Sequence, residues 1–178
     1  PMEVKSRGNL SPNILAMLYQ RFAQESYDAH FYLKLAWWCD DKGLSNMADY
    51  FLENHKEENG HQALFADYIS DRGEEFIILE TDEVTYTPSD LLDLAQAYLN
   101  QQKLATQRLT AIAMAAFQEA DLLTFAFMQE LLEDQQEGEE AAMTFLAKAK
   151  LVANNPAAMM AWDTNFEDSM GEDDDADM

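Results

Sequence analysis

The sequence predicts an all-α protein, a four-helix bundle with one long crossover connection and a short fifth helix. Of its 178 residues 48% are apolar and only six are glycine, and long segments are rich in the strong helix formers Ala, Leu, Met, Gln and Glu. Apolar residues recur along these segments at helical spacing. A chain of this length forms one domain with a sizeable core. We place that domain at residues 1–168 and predict that an acidic tail, 169–178, is disordered.

Capping signals and helix breakers delimit each predicted helix. Ser11-Pro12 is a typical start, with a side chain that can cap the helix and a proline at its first position. Gly43 and Gly73 are suited to ending the first two helices. Thr87 begins a capping box, with an acid three residues later, that opens the third. The predicted helices therefore cover approximately residues 12–40, 45–72, 88–117, 122–153 and 156–166.

The lengths of the connections predict how the helices are arranged. Short turns join the first helix to the second and the third to the fourth, so the helices of each pair are antiparallel. At roughly 3.3 Å per residue, segment 74–87 reaches about 50 Å when extended, and a helix of about 28 residues measures roughly 42 Å. The segment can therefore cross the whole bundle, which makes the second and third helices parallel. An independent hairpin or a disordered insert is the alternative.

The net charge of −23 indicates which partners suit the protein. Nucleic acids and anionic membranes are not expected as partners because their phosphates would be repelled, whereas cations are attracted. A contribution to solubility alone is the alternative. The N-terminus has no signal-peptide features, no apolar run approaches the about 18 residues of a membrane span, and the single Cys39 excludes an internal disulfide. These features predict a reducing, cytoplasmic setting.

Acidic side chains and a histidine recur at the middle of the first two helices. Glu58 and His61 are three residues apart, and Glu25 and Tyr32 are seven apart, so each pair shares one helix face. Antiparallel packing brings the two midpoints together. Buried carboxylates are costly without a partner, and carboxylates with an imidazole suit iron or another divalent first-row metal. The alternative is a solvated acidic face.

Several segments resemble the ferritin family. Residues 25–32 (ESYDAHFY) and 56–61 (KEENGH) are similar to its first- and second-helix signatures. Residues 131–135 (LLEDQ) and 151–156 (LVANNP) resemble its fourth helix and the turn into its fifth. The resemblance covers roughly residues 10–168 and is to bacterial-type, non-haem ferritins. It implies a ferritin-like four-helix bundle.

The resemblance also implies a function. Such proteins are ferroxidases that assemble as homo-oligomeric, hollow 24-subunit cages, oxidise Fe²⁺ with O₂ or H₂O₂, and store ferric mineral. Glu25, Glu58 and His61 would hold the first iron, with Glu58 bridging to a second. Tyr32 would be the redox-active tyrosine, and Gln135 would support the site from the fourth helix.

This chain departs from the family pattern where the second iron would bind. Gln101 is expected at the position of the third-helix glutamate, and no Asp or Glu occurs between Asp93 and Glu119. Gly138 stands where a fourth-helix glutamate can occur. Neutral amides are weak ligands for hard cations. The sequence therefore predicts one firmly held iron and a weak or absent second.

Other acidic residues are candidates for moving iron. Glu57, Asp134 and Glu137 resemble an inner-surface iron site of some bacterial ferritins, and a solvated acidic face is the alternative. Glu119 and Asp121 fall in the turn that lines threefold pores in ferritin cages, and a helix cap by Asp121 is the alternative.

Haem is not expected, because Asn59 occupies the position of the haem-ligating methionine of bacterioferritins. His30, His55 and Cys39 are not expected to bind metal.

Two other functions fit the sequence: a dimeric, rubrerythrin-like di-iron oxidase or peroxidase, and an acidic bundle or cage subunit without catalytic activity.

Overall fold

The structure is a computed structural model that describes residues 3–171. Within that range the chain forms helices and no strand, which confirms the all-α class. The helices are α1 (Pro12–Asp41), α2 (Ser45–Asp71), α3 (Leu91–Gln118), α4 (Leu122–Val152), α5 (Pro156–Thr164) and α6 (Phe166–Met170). No candidate membrane span is found among these helices.

Two apolar clusters, one at each end of the bundle, show the direction of every long helix. One cluster joins the start of α1, the end of α2, the end of α3 and the start of α4 through Ile14, Ile69, Ile112 and Met128. The other cluster joins the opposite ends through Leu35, Met47, Leu94 and Leu146. Hence α1 and α2 are antiparallel, as are α3 and α4, whereas α2 and α3 are parallel.

The connection from α2 to α3 runs along the outside of α1. Near its start, the ring of Phe76 packs edge-on against Phe22, with the centroids 4.8 Å apart. Near its end, Tyr86 stacks on Phe31, which lies further along α1, at 5.7 Å. These contacts confirm the predicted crossover and exclude the independent hairpin and the disordered insert.

The start of α3 differs from the prediction. The helix begins at Leu91, and its cap is Asp90, whose carboxylate accepts a 2.8 Å hydrogen bond from the Asp93 amide. Thr87, the predicted cap, precedes the helix. The reason is that the Asp93 carboxylate accepts hydrogen bonds from the Ser89 amide at 2.9 Å and the Tyr86 hydroxyl at 3.0 Å. These bonds hold the preceding residues outside the helix.

The predicted fifth helix is divided. It ends at Thr164, and α6 continues to Met170, two residues beyond the predicted domain boundary at 168. Trp162 Nε1 donates a 2.9 Å hydrogen bond to the Ser169 hydroxyl, which holds α6 against α5. Residues 172–178 of the predicted acidic tail lie outside the described residues, so disorder there stays a prediction.

A polar layer separates the two apolar clusters at the middle of the bundle. Its buried members are Arg21, Glu25, Asp28, Gln102 and Gln135. Burying such groups is costly unless they are hydrogen-bonded, paired or bound to a cation. This layer positions the candidate site.

Candidate metal centre

Glu25, Glu58 and His61 meet in the polar layer as the sequence predicts. Each offers a ligand atom, and the three atoms lie within 4.8 Å of one another. His61 Nδ1 is 3.3 Å from Glu58 Oε2 and 3.8 Å from Glu25 Oε2. Glu25 Oε2 is buried and has no hydrogen-bond partner. Two carboxylate oxygens and an imidazole nitrogen around one point can hold a divalent cation.

The helices set both the geometry and the access of this group. Glu25 comes from the middle of α1, and Glu58 and His61 come from the facing turn of α2. The exposed fractions of their side chains are 3%, 12% and 27%. The site therefore opens towards α2, and its deepest member is the carboxylate with the unpartnered oxygen.

The three groups strongly alter one another's protonation. Burial raises the pKa of Glu58 well above its usual range, and the adjacent Glu25 carboxylate raises it further. Burial also raises the pKa of Glu25, but the charge of Arg21, together with Glu58 and His61, lowers it to about 2. The two carboxyl groups raise the pKa of His61 to about 10, although burial opposes that shift. Protons thus supply positive charge that a metal cation can replace.

Arg21 belongs to the site, and the sequence analysis missed it. Its side chain is 1% exposed. Arg21 Nε donates to Glu25 Oε1 at 3.0 Å, and Nη2 donates to Asp28 Oδ2 at 2.9 Å. The signal was present in the sequence, because Arg21, Glu25 and Asp28 are spaced by four and seven residues and so share one face of α1.

The amide that faces the site from α3 is Gln102, which corrects the prediction of Gln101. Gln102 Nε2 donates a 2.8 Å hydrogen bond to the buried Tyr32 hydroxyl. Gln135 Nε2 in turn donates to Gln102 Oε1 at 2.6 Å and to the Gln102 carbonyl at 2.9 Å. Gln101 instead donates to Asp28. Gln102 lies four residues after Tyr98 on the buried stripe of α3, so helical periodicity could have identified it.

Gly138 makes room for this amide network. A Cβ atom at this position would lie 2.8 Å from Gln102 Oε1, closer than side chains pack. A glutamate at Gly138 could therefore not coexist with the observed position of Gln102. The two departures from the family pattern, a glutamine on α3 and a glycine on α4, are therefore sterically compatible: the missing side chain of Gly138 leaves the space that the Gln102 amide fills.

Comparison with known proteins identifies the family. The family model described as Ferritin-like domain matches residues 15–152. The chain belongs to the ferritin family. The bacterial non-heme ferritin of Staphylococcus epidermidis is 32% identical over 139 residues, covering 77% of this chain and 82% of that protein. The protein of the same name from Staphylococcus aureus is 27% identical over 156 residues, covering 86% and 93%.

Solved structures agree with this ferritin fold. The open pore ferritin from the hyperthermophilic archaeon Archaeoglobus fulgidus superimposes with a TM-score of 0.84 at 24% sequence identity. The match covers 88% of this chain and 96% of that one. Family membership supports iron storage and iron binding as the general role of this ferritin chain.

The acidic residues predicted as an inner-surface iron site of this ferritin chain do not belong to the compact group of Glu25, Glu58 and His61. Glu57, Asp134 and Glu137 are exposed, and they form no compact metal-holding group within residues 3–171. Burial raises the pKa of Glu57; nearby His61 lowers it, and the negative charges of Glu53 and Asp134 raise it further. A third iron site at these residues stays a prediction.

The turn between α3 and α4 contains both of its predicted acids. Asp121 caps α4, because its carboxylate accepts 3.1 Å and 2.6 Å hydrogen bonds from the amide and hydroxyl of Thr124. Glu119 accepts a 3.1 Å bond from the Ser11 hydroxyl. The predicted helix cap is thus confirmed, and the role of the turn in a pore stays a prediction.

Three residues that were not expected to bind metal, His30, His55 and Cys39, lie on the surface, at a helix contact and in the core of this ferritin. His30 is exposed. His55 Nδ1 lies 2.7 Å from the Ala29 carbonyl, which ties α2 to α1. Cys39 is fully buried, and burial together with Asp163 raises the pKa of its thiol to about 12, so the thiol packs in the core in its neutral form.

Proposed function

We propose that this ferritin chain binds Fe²⁺ through Glu25, Glu58 and His61 and oxidises it to Fe³⁺ for storage. The observation that carries the proposal is the buried, unpartnered oxygen of Glu25, directed at the ligand atoms of Glu58 and His61. A buried carboxylate oxygen without a hydrogen bond is unfavourable. A divalent cation supplies the missing partner.

The proposed ligand atoms are Glu25 Oε2, Glu58 Oε2 and His61 Nδ1. Fe²⁺ is the substrate, and it displaces protons from Glu58 and His61 when it binds. Each ion then gives one electron to O₂ or H₂O₂. Tyr32 is buried beside the site, where it accepts a hydrogen bond from Gln102. We propose Tyr32 as a further one-electron donor on the basis of this position.

The second iron position is proposed to be weak. Gln102 supplies a neutral amide where the family pattern has an acidic ligand, and the Nε2 donors of both Gln102 and Gln135 are used within the protein. Gln135 Oε1 is then the atom of its amide that can bind a cation. Without added negative charge, a second Fe²⁺ next to the first is repelled. We infer a centre with one firmly bound iron, oxidised in one-electron steps.

The storage function is proposed to require a 24-subunit cage of identical chains. Several large apolar side chains are exposed on the isolated chain, including Trp37 at 60%, Leu122 and Leu123 at 62% and Leu151 at 84%. Exposed apolar groups of this size indicate surfaces that are covered by other subunits.

Replacing Glu58 tests the catalytic role. In Glu58→Ala, the initial rate of Fe²⁺ oxidation by O₂ is expected to fall about tenfold or more, because a metal ligand is lost. Glu53→Ala is the matched control, since Glu53 is exposed on the same helix and pairs with Lys56 at the surface. Stopped-flow absorbance of ferric species measures both rates. Equal rates in the parent, Glu58→Ala and Glu53→Ala would favour a cage subunit whose oxidation site has no catalytic activity.

A further inference from the structure

The guanidinium of Arg21 contacts one of the proposed metal ligands directly. Its nitrogens lie 2.8 Å and 3.0 Å from Glu25 Oε1, and this pair is almost completely buried. One oxygen of Glu25 is therefore engaged by a fixed cation, and the other, Oε2, is unpartnered. The two oxygens of one carboxylate thus have different surroundings.

Asp28 fixes the position of the guanidinium. Its Oδ2 accepts a 2.9 Å charged hydrogen bond from Arg21, and its Oδ1 accepts a hydrogen bond from Gln101 on α3. Arg21 is thereby held between two carboxylates on its own helix. A guanidinium remains protonated at any pH at which the protein is folded. The positive charge beside Glu25 is permanent.

We propose that Arg21 is a positioning residue that makes Glu25 a ligand through Oε2 alone and so restricts the centre to one firmly bound divalent cation. The inference rests on the proposed metal site. A carboxylate whose second oxygen is held by Arg21 cannot chelate with both oxygens. The guanidinium also cancels part of the negative charge that would stabilise two divalent cations side by side.

The test is an anaerobic titration of the full-length, assembled protein with Co²⁺, monitored by calorimetry and by visible absorption. The main variant combines Arg21→Gln with Asp28→Asn, which leaves the net charge unchanged. Because the positive charge that touches Glu25 is removed while the net charge is kept, Co²⁺ is expected to bind about tenfold or more tightly. A second equivalent of Co²⁺ and altered visible bands are expected as both oxygens of Glu25 become available.

Two further variants keep the test decisive if the double variant does not assemble. Asp28→Asn alone leaves the guanidinium and removes a nearby negative charge, so Co²⁺ should bind several-fold more weakly. Arg21→Lys keeps the charge but loses the fork that spans both carboxylates. It should therefore alter the visible bands more than the affinity. Circular dichroism and particle size confirm that each variant is folded and assembled.

The possible failures are distinguishable. If Glu58→Ala leaves Co²⁺ binding unchanged, the proposed metal site itself is wrong. If Glu58→Ala abolishes binding while the assembled double variant, or failing that Asp28→Asn and Arg21→Lys, matches the parent in affinity, stoichiometry and spectrum, only the role of Arg21 is overturned.

Discussion

At the scale of single residues, the centre is defined by what each oxygen and nitrogen already contacts. One carboxylate oxygen of Glu25, Oε1, is hydrogen-bonded to Arg21, and the other, Oε2, has no hydrogen-bond partner. The amides of Gln102 and Gln135 are directed by hydrogen bonds to Tyr32 and to each other. The amide oxygen of Gln102 accepts a hydrogen bond from Gln135 and is therefore not free to bind a cation. In the proposed centre, the number of bound metal ions therefore depends on these hydrogen bonds as well as on the number of acidic residues.

Gln102→Glu is expected to strengthen the second metal position. The substitution adds a buried carboxylate beside Tyr32 without changing the shape of the side chain, and the added charge offsets repulsion between two cations. Anaerobic Co²⁺ titration should show a second equivalent binding at least about tenfold more tightly than in the parent. Gln96→Glu, the same change at an exposed position of α3, is the control. A second equivalent that binds equally weakly in parent, Gln102→Glu and Gln96→Glu would contradict the prediction.

At the scale of elements, two short segments hold the long helices in place. The helix α2 has Leu44 at its N-cap, which offers no side-chain hydrogen bond. Asp163 of α5 fills that role, because its carboxylate accepts a 2.9 Å hydrogen bond from the Met47 amide. Asn46 Nδ2 also donates to the Asp163 carbonyl at 2.8 Å. The fifth helix thus caps the second.

Asp163→Ala should destabilise the bundle by about 1–2 kcal/mol, the usual effect of losing a helix cap. The Met47 amide would be left buried without an acceptor. Chemical denaturation followed by circular dichroism measures the change, and Asp168→Ala, an exposed acid of α6, is the control. Equal midpoints for the two variants would show that the cap contributes nothing.

The N-terminal segment is attached to the end of α2 by Glu74. This buried carboxylate accepts hydrogen bonds from the Ser6 hydroxyl and from the amides of Arg7, Gly8 and Leu10, at 2.7 to 3.1 Å. Burial raises the pKa of Glu74, and these four bonds lower it more, so the net shift is downward. The charged form therefore stabilises the folded state.

Glu74→Gln is expected to reduce the free energy of unfolding by about 1–3 kcal/mol at pH 7, because an amide cannot accept all four bonds. A carboxyl with a lowered folded-state pKa stabilises fully above its unfolded value of about 4.3 and loses that effect as pH falls through the folded value. The difference in free energy of unfolding between the parent and Glu74→Gln should thus become smaller below about pH 4. Urea denaturation across this range measures it, and a gap independent of pH would contradict the prediction.

At the scale of the whole molecule, the net charge and the exposed apolar surface both fit the proposed role of an iron-storing cage subunit. The net charge of −23 attracts cations to the protein. The exposed apolar side chains, such as Leu151 and Trp37, are suited to the contacts between subunits that the proposed cage requires.

The chain is expected to sediment as one particle of about twenty-four copies of the 20.3 kDa subunit. Leu151→Glu should weaken that assembly, because it places a charge on a side chain that is 84% exposed in the single chain. Ala153→Glu is the control for an added charge close by. Analytical ultracentrifugation measures particle size, and a dimer in the parent protein would instead favour the rubrerythrin-like alternative.

Helical periodicity and capping let the sequence determine most of the fold. The four long helices, the crossover and the meeting of Glu25, Glu58 and His61 follow from local rules, because residues three, four and seven apart share a face. The start of α3 was misplaced because Asp93 holds the residues before Asp90 outside the helix. A competing side-chain hydrogen bond of this kind leaves no clear mark in the sequence.

Only the tertiary structure decided how the polar layer is connected. The sequence indicated that acidic ligands are missing near the second iron position, but it identified Gln101 as the replacement where packing selects Gln102. Only the structure shows that Gly138 leaves space for that amide. Helical spacing places Arg21 and Glu25 on one face of α1, but only the structure shows the guanidinium bound to one oxygen of Glu25. Helix faces are fixed by local periodicity, whereas the partner of each buried polar atom depends on how separate helices pack together.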